Sequence, residues 1–431
     1  MHKLKSKKGV ALLMVISSLL LLTSIVVDFA YNSNVTFNVA MNERDRLQAN
    51  YLAQTAYQFA LILIRFDRDT KDMVRQASQK LGRTVQIKPL YKMLPINSEM
   101  LRGLAQMATG AEKGGTGEWE LSADQLSNIK QSADMMSEKQ AKSFLSFEGN
   151  FNAEVDAEDG KIPLNAFYYL TPTQPEYDRL KTVLISLLRQ NELLKYIKDK
   201  QRGPEELTNR IADYIDKNDV INEMGGSERG SESSVYVGTK AKPKNAKLLS
   251  VDELIFIPGM NEDLLEELKK HVTVYGSADK INACAAGDGL LKGLIIAYSQ
   301  RSDIEPIRAD NDERLTNVLK KVREKCPDPQ AMAQALNESL GISGGGGAGA
   351  AASPASTAVP ASQPAPTSMP GGAGAGAANQ NSFASMISSN ENYLRIQATG
   401  TMDHAEVKIV AVVDTSNANP DQWKILYWRV Q

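Results

Sequence analysis

At 431 residues the chain has room for roughly two or three domains and a sizeable core. Its 49 basic and 51 acidic side chains are interspersed to a net charge of -2, which leaves no electrostatic footprint for nucleic acid. The 3 histidines (His2, His271, His404) and 2 cysteines (Cys284, Cys326) are too few and too scattered to suggest a transition-metal site.

Met1–Gly9 is a short basic leader, with His2, Lys3, Lys5, Lys7 and Lys8, that ends in glycine. The uncharged run Val10–Val27 follows, 18 residues closed by Asp28, at the short end of the roughly 17–25 that span a bilayer as a helix. The hydroxyls of Ser17, Ser18, Thr23 and Ser24 can bond back to helix carbonyls, so they are tolerable in lipid. Lysines on one flank alone predict a cytoplasmic N-terminus and an exported C-terminal part. In a secretory signal peptide the small-residue cleavage step follows the apolar region. Here Lys8-Gly9-Val10 precedes it, so a cut between Gly9 and Val10 would leave the apolar segment as the new N-terminus. An uncleaved anchor carrying an unrelated exported binding protein or hydrolase is the alternative.

The helix pattern does not stop at Asp28. Phe29 to Arg65 contains no proline or glycine, and Val35, Val39, Leu47, Tyr51, Leu52, Tyr57, Phe59 and Leu63 recur with helical spacing. One helix of about 55 residues fits, half in lipid and half on a globular head. Two helices broken near Asn32–Asn34 would serve the same reading. Thr70–Lys142 is mixed and mostly helical in character. Ser143–Val155 alternates through Phe144, Phe147, Phe151 and Val155 as a strand, then turns at Glu158-Asp159-Gly160. Helical patterns follow over Leu180–Ile197, Pro204–Ile215, Val251–Val272, Gly289–Tyr298 and Asn311–Lys325, and make Leu164 to about Leu340 a helical domain. Gly341–Asn381 is a Gly/Ala/Ser/Pro/Thr tract unable to bury enough apolar surface to order itself. Tyr393–Ala398, Ala405–Val413 and Trp423–Val430 read as a three-stranded meander, which needs a hydrophobic partner. The first helix and the strand at Phe144–Val155 are available. The head is thus one helix on a sheet, interrupted by an inserted helical domain.

Several local patterns bear on chemistry. Asp213, Asp216, Asp219, Glu223, Glu228 and Glu232 crowd a loop that Gly225-Gly226 can fold back, a donor set suited to calcium or simply a solvated acidic face. The spacing is not that of an EF-hand. Leu254–Met260 with Leu264, Leu265 and Leu268 looks like half of a helix-hairpin-helix, but Glu262, Asp263, Glu266 and Glu267 would repel a phosphate backbone. A packing unit like a sterile alpha motif is the better reading. Gly341-Ile342-Ser343-Gly344-Gly345 and Gly344–Gly349 match catalytic strings by chance inside a glycine run, and no acid/base pair frames a pocket, so the chain does not read as an enzyme. Cys284 and Cys326 would lie in an oxidising compartment and could pair, though sequence does not place them within reach.

Together these residues resemble a known family, the K-type minor pseudopilins of bacterial type II secretion (general secretion pathway protein K). The matching segments are Lys8–Leu13, Asn42–Ala53, Gly160–Asn165, Asp213–Asp219, Leu254–Gly259, Lys280–Ala286 and the C-terminal strands, in family order. The resemblance implies an α+β pseudopilin fold: a long N-terminal helix, transmembrane in its first half, packed on an antiparallel sheet, with a large inserted α-domain. The implied organisation is leader 1–9, membrane segment 10–27, exported helix 28–66, mixed segment 67–142, strand and turn 143–160, inserted domain 161–340, linker 341–381 and C-terminal strands 382–431. It further implies cleavage between Gly9 and Val10 by prepilin peptidase, with methylation of the new N-terminus. Most pilins carry glutamate at the fifth processed position, where it meets the N-terminal amine of the subunit ahead; this chain has Met14. Met14 fits a subunit with nothing ahead of it, although a plain lipid-facing residue would look the same. The family's acidic loop binds calcium, which carries over to Asp213, Asp216, Asp219 and Glu228, with Glu223 and Glu232 as further acids. The implied function is to cap the tip of the pseudopilus and start its assembly. Its implied partners are the I-, J- and H-type minor pseudopilins, the inner-membrane assembly platform and the lipid bilayer. The implied location is the inner membrane, single-pass, with a periplasmic head. A minor pilin at the tip of a type IV pilus is the related alternative.

Overall fold

A computed structural model describes residues 8–81, 89–108, 147–238, 241–276, 280–300, 306–307, 312–342, 383–389 and 391–431. The leader up to residue 7, most of 67–142 and nearly all of the 341–381 tract lie outside these residues, as does Phe144.

With no proline or glycine after Gly9 to interrupt it, the N-terminal pattern forms one helix, α1, over Lys8–Leu81. Its 74 residues correspond to about 110 Å. It passes through the expected weak point without a break: Thr36 Oγ1 donates to Asn32 O at 2.8 Å, and Asn38 Nδ2 to Asn34 Oδ1 at 3.1 Å. It also outruns the expected end near Arg65, because the following stretch stays free of proline and glycine as far as Leu81, and Lys71 pairs with Asp67 one turn earlier at 2.8 Å. From Ala11 to Ala40 every residue of α1 is exposed, and this is the one described helix long and apolar enough to cross a membrane.

The chain divides into two units: Met1–Val155 with Ile396–Val412 and Ile425–Gln431, and Asp156–Arg395 with Val413–Lys424. In the first, the later part of α1 turns Ala49, Ala53, Ala56 and Ala60 fully inward, flanked by Leu52, Tyr57, Leu63 and Ile64. Five strands form the sheet in the order β1 (Ile96–Asn97), β2 (Asn150–Ala157), β3 (Tyr393–Met402), β4 (Ala405–Asp414) and β5 (Lys424–Val430). β1 and β2 pair antiparallel. β3 and β4 are joined by Asp403-His404, with Asp403 in the left-handed region (φ 46°) that a tight hairpin turn requires. Lys408 and Gln431 exchange both backbone hydrogen bonds (3.1 and 2.8 Å), so β5 runs antiparallel to β4. Strict alternation of buried and half-buried residues along β3 follows from one face meeting the core. β1, followed directly by helix α2 (Ser98–Ala108), comes from the segment read as mixed and mostly helical.

Glycine decides how closely helix and sheet approach. A Cβ on Gly400 of β3 would strike the Ala49 carbonyl oxygen and lie 2.5 Å from the Ala53 nitrogen. The bare Cα lets the alanine stripe of α1 rest on the strand.

The second unit is mainly helical: α3 (Pro175–Leu188), α4 (Gly203–Ile215), α5 (Glu262–Leu268), α6 (Asp288–Ser299), α7 (Asp312–Arg323) and α8 (Pro329–Leu340). α3 packs on α6, and Leu184, Leu187, Leu291 and Leu294 are fully buried between them. Two expected helices are divided. Leu180–Ile197 breaks at Arg189-Gln190 into α3 and a single turn, Asn191–Leu194. Val251–Val272 becomes a 3-10 segment, Val251–Phe256, and α5, because Pro258 cannot donate a helical hydrogen bond and Gly259 turns at φ 99°. α8 lies beyond the helical patterns of the sequence; Asp328 caps it by accepting from the Gln330 and Ala331 nitrogens, and Gly341 ends it at φ 75°. After the glycine tract the chain first rejoins this unit: Phe383 is buried against Tyr298, and Ile387-Ser388 pairs parallel with Ile281-Asn282 before β3 begins.

Candidate functional site

The acidic loop is built from the end of α4. Asp213 lies on its last turn, and Asp216, with ψ -179°, takes the chain out of the helix. An irregular hairpin follows, Val220–Asn222 against Glu228–Ser231, closed through Gly225 (φ 80°) and Gly226 (φ 72°). Glu232 then opens a 3-10 turn that points back at α4. One carboxylate oxygen each from Asp213, Asp216 and Glu232 lies within 4.8 Å of the others, and all three residues are buried.

Their surroundings are polar but incomplete. Asp213 Oδ1 accepts from the Asn222 nitrogen (3.1 Å), and Asp216 Oδ2 accepts from Tyr177 Oη and Asn222 Nδ2, both at 3.0 Å. Neither carboxylate oxygen of Glu232 has a hydrogen-bond partner among the described residues, although the side chain is 2% exposed. Burial drives all three acids toward the neutral form. Asp213 rises to about 7 against the pull of the Asn222 N–H, and Asp216 to about 6 against that of the Tyr177 hydroxyl. Glu232 rises to about 9, with the negative charges of Asp216 and Asp213 adding to its desolvation. Three converging carboxylates, two of their oxygens unpartnered, fit a hard cation with oxygen ligands such as calcium, which Asp213, Asp216 and Glu232 would hold.

The remaining acids of the loop are not drawn into this group. Asp219 is exposed; its carbonyl accepts from the Glu232 nitrogen (3.1 Å) and its carboxylate from Asn245 Nδ2 (2.7 Å). Glu223 pairs with Arg229 at 3.1 Å, and Glu228 is exposed on the hairpin. Side chains of α3, outside the acidic loop, complete the site. Tyr177 reaches Asp216, Asp178 Oδ2 holds the Gly225 nitrogen (2.9 Å), and Lys181, fully buried, donates to Asn222 O at 2.5 Å. The signal for Lys181 is a charged residue on the apolar stripe Tyr177, Leu180, Leu184, Leu188 of an amphipathic helix.

The other expected positions fall as follows. Gly9 and Val10 lie within the α1 range, and Met14 is 67% exposed on it. Cys284 and Cys326 are disulfide-bonded, with Cα atoms 5.8 Å apart. In the helix-hairpin-helix-like segment, Asn261 Oδ1 occupies the Leu264 N–H at 2.9 Å, and Arg210 donates to Pro258 O at 2.9 Å, so the hairpin's polar groups serve internal packing. The glycine-rich catalytic strings lie outside the described residues beyond Ile342.

A helix with an exposed apolar start, laid on an antiparallel sheet, together with a helical unit between the second and third strands, is the α+β arrangement that the sequence resemblance implies. Residues 163–277 match the family described as Type II secretion system (T2SS), protein K. The chain is similar to the K-type minor pseudopilins of that system. A chain in the crystal structure of the GspK-GspI-GspJ complex from the enterotoxigenic Escherichia coli Type 2 Secretion System is also similar. It is 13% identical with a TM-score of 0.46, over 91% of this chain and 99% of that one. No curated protein matches the chain.

Proposed function

We propose that the chain is a minor pseudopilin that caps the tip of the type II secretion pseudopilus and starts its assembly with the I-, J- and H-type minor pseudopilins. Prepilin peptidase removes residues 1–9, the new N-terminus is methylated, and α1 stays in the inner membrane with the head in the periplasm. The assembly platform then receives the subunit through α1. Calcium held by Asp213, Asp216 and Glu232 fixes the acidic loop as a structural ion and takes no part in chemistry. The observation that carries this reading is the protein K match at residues 163–277 in the same chain as a helix whose apolar surface is exposed from Ala11 to Ala40.

The test uses the full chain expressed with its secretion system. The mass of the membrane-extracted protein should correspond to a start at Val10, and the protein should co-purify with other minor pseudopilins. Deletion should abolish secretion. A chain still beginning at Met1, or normal secretion after deletion, would overturn the proposal.

A further inference from the structure

Among the described residues, the buried ammonium of Lys181 is the cationic group whose charge acts on both Asp213 and Asp216. Its Nζ donates to Asn222 O at 2.5 Å and lies 4.8 Å from the centre of the Tyr177 ring. Both neighbours connect it directly to the acids. Asn222 donates its backbone N–H to Asp213 and its side-chain amide to Asp216, and the Tyr177 hydroxyl donates to Asp216. Burial lowers the Lys181 ammonium from its ordinary value, and the charges of Asp213, Asp178, Asp216 and Glu223 oppose that loss. Of these, Asp178 is engaged with the Gly225 nitrogen and Glu223 with Arg229.

We propose that Lys181 is the resident counter-cation of Asp213 and Asp216 within the three-acid group: it holds the loop in place without metal and competes with a divalent cation for the same negative charge. The inference rests on the reading of the group as a cation site. With all three carboxylates ionised, the form that a bound cation requires, one ammonium leaves two negative charges, which a single divalent ion cancels. A buried lysine is tolerable only where opposite charge and acceptors surround it, so its place on an apolar stripe depends on Asp213, Asp216 and the Asn222 carbonyl. Without the ammonium, the metal-free loop keeps its mutual repulsion uncompensated, whereas a bound cation meets one charge more.

The test measures thermal unfolding of the full chain in detergent, in EDTA and with added calcium chloride, together with a calcium titration by calorimetry. Lys181→Met should melt lower than wild type in EDTA and recover with calcium, and its half-saturating calcium concentration should fall on the order of tenfold. Lys181→Arg should stay close to wild type in both readouts. Adding Asp216→Asn to Lys181→Met removes one of the negative charges that face the ammonium and should restore melting in EDTA. Wild-type protein that takes up no calcium would end the calcium reading, and the EDTA melts would still decide the role of Lys181. Equal melting of wild type and Lys181→Met in EDTA, or no restoration by Asp216→Asn, would overturn the inference.

Discussion

Glu158 and Arg395 stand 237 positions apart in the sequence and form an ion pair where the chain ends β2 and where β3 begins. Glu158 is 1% exposed and also pairs with Lys161 at 3.0 Å. One residue on, Asp159 Oδ2 accepts from the Asn392 and Tyr393 nitrogens, both at 2.7 Å. Two adjacent acids thus fasten the exit from the sheet to the return. Burial by itself would raise Glu158, but the charges of Lys161 and Arg395 outweigh it and hold the carboxyl below its ordinary value. The stability it contributes is therefore present above the unfolded value near 4.5 and is lost as the pH falls through the lower folded one. Arg395→Met should destabilise the protein by about 3 kcal/mol, the low end for breaking a buried pair, because Lys161 remains. Denaturant unfolding at neutral pH measures the loss, and it should shrink as the solution is acidified.

Gly400 makes a sharper steric prediction. With the backbone of Ala49 and Ala53 inside contact distance of any Cβ at this position, Gly400→Ala must push α1 off the strand. A loss of about 1–3 kcal/mol is expected, the range for overpacking a close-packed core. Gly103, in helix α2, has nothing within 4 Å of its added Cβ, so Gly103→Ala should be neutral or mildly stabilising. Unfolding curves of the two variants against wild type separate the effects, and equal stability of Gly400→Ala would refute the close approach.

The contrast between these glycines bears on what the sequence makes legible. The long helix and the strands β3 to β5 can be read directly, since an uninterrupted helical period and a clean alternation are strong local signals. β1 cannot, because two residues carry no period and it exists only through pairing with Asn152-Ala153. The division of Leu180–Ile197 is equally hidden, as leucines continue on both sides of the break. In the acidic loop, Asp213 and Asp216 are legible at the end of a helix, but which later acids turn inward depends on the hairpin. Its register leaves Glu228 outside and brings in Glu232, the acid that the resemblance ranks behind Glu228. Tyr177, Asp178 and Lys181 come from a helix some thirty residues upstream and enter through tertiary packing alone.

That geometry fixes the direction of a pH effect. Asp213, Asp216 and Glu232 rise from ordinary values of 3.8, 3.8 and 4.5 to about 7, 6 and 9, so the metal-free folded protein holds protons that the unfolded chain releases. Stability from these groups is intact below their unfolded values and declines as the pH climbs toward the folded ones. In EDTA the melting temperature should drop between about pH 5 and about pH 8. Calcium takes the place of those protons, so the rise in melting temperature that it causes should grow over the same interval. Circular dichroism melts with and without calcium check this, and parallel curves at every pH would argue against a cation at these residues.

The disulfide supplies the last prediction. Cys284 follows the Asn282 turn, whose Oδ1 accepts from the Cys284 and Ala285 nitrogens at 3.0 and 3.2 Å, and Cys326 lies just past the end of α7. Arg323 of α7 reaches the same turn, donating to Ala286 O at 2.7 Å and to Asp288 at 2.6 Å. Beneath the turn, a Cβ on Gly160 would come within 2.6 Å of the Ala285 carbonyl carbon. The bond thus joins α7 to the segment that packs on Gly160, and it closes a loop with a sequence separation of 42. A loop of that size implies about 4 kcal/mol of stabilisation through restriction of the unfolded chain. Asp288 is exposed, so its ion pair with Arg323 replaces little of this. Cys326→Ser should therefore unfold at markedly lower denaturant concentration, and reductant should shift wild type to the same midpoint while leaving the variant unchanged. A wild-type midpoint indifferent to reductant would mean that packing around Met332, whose sulfur lies 3.7 Å from Cys284 Sγ, holds α7 without the covalent link.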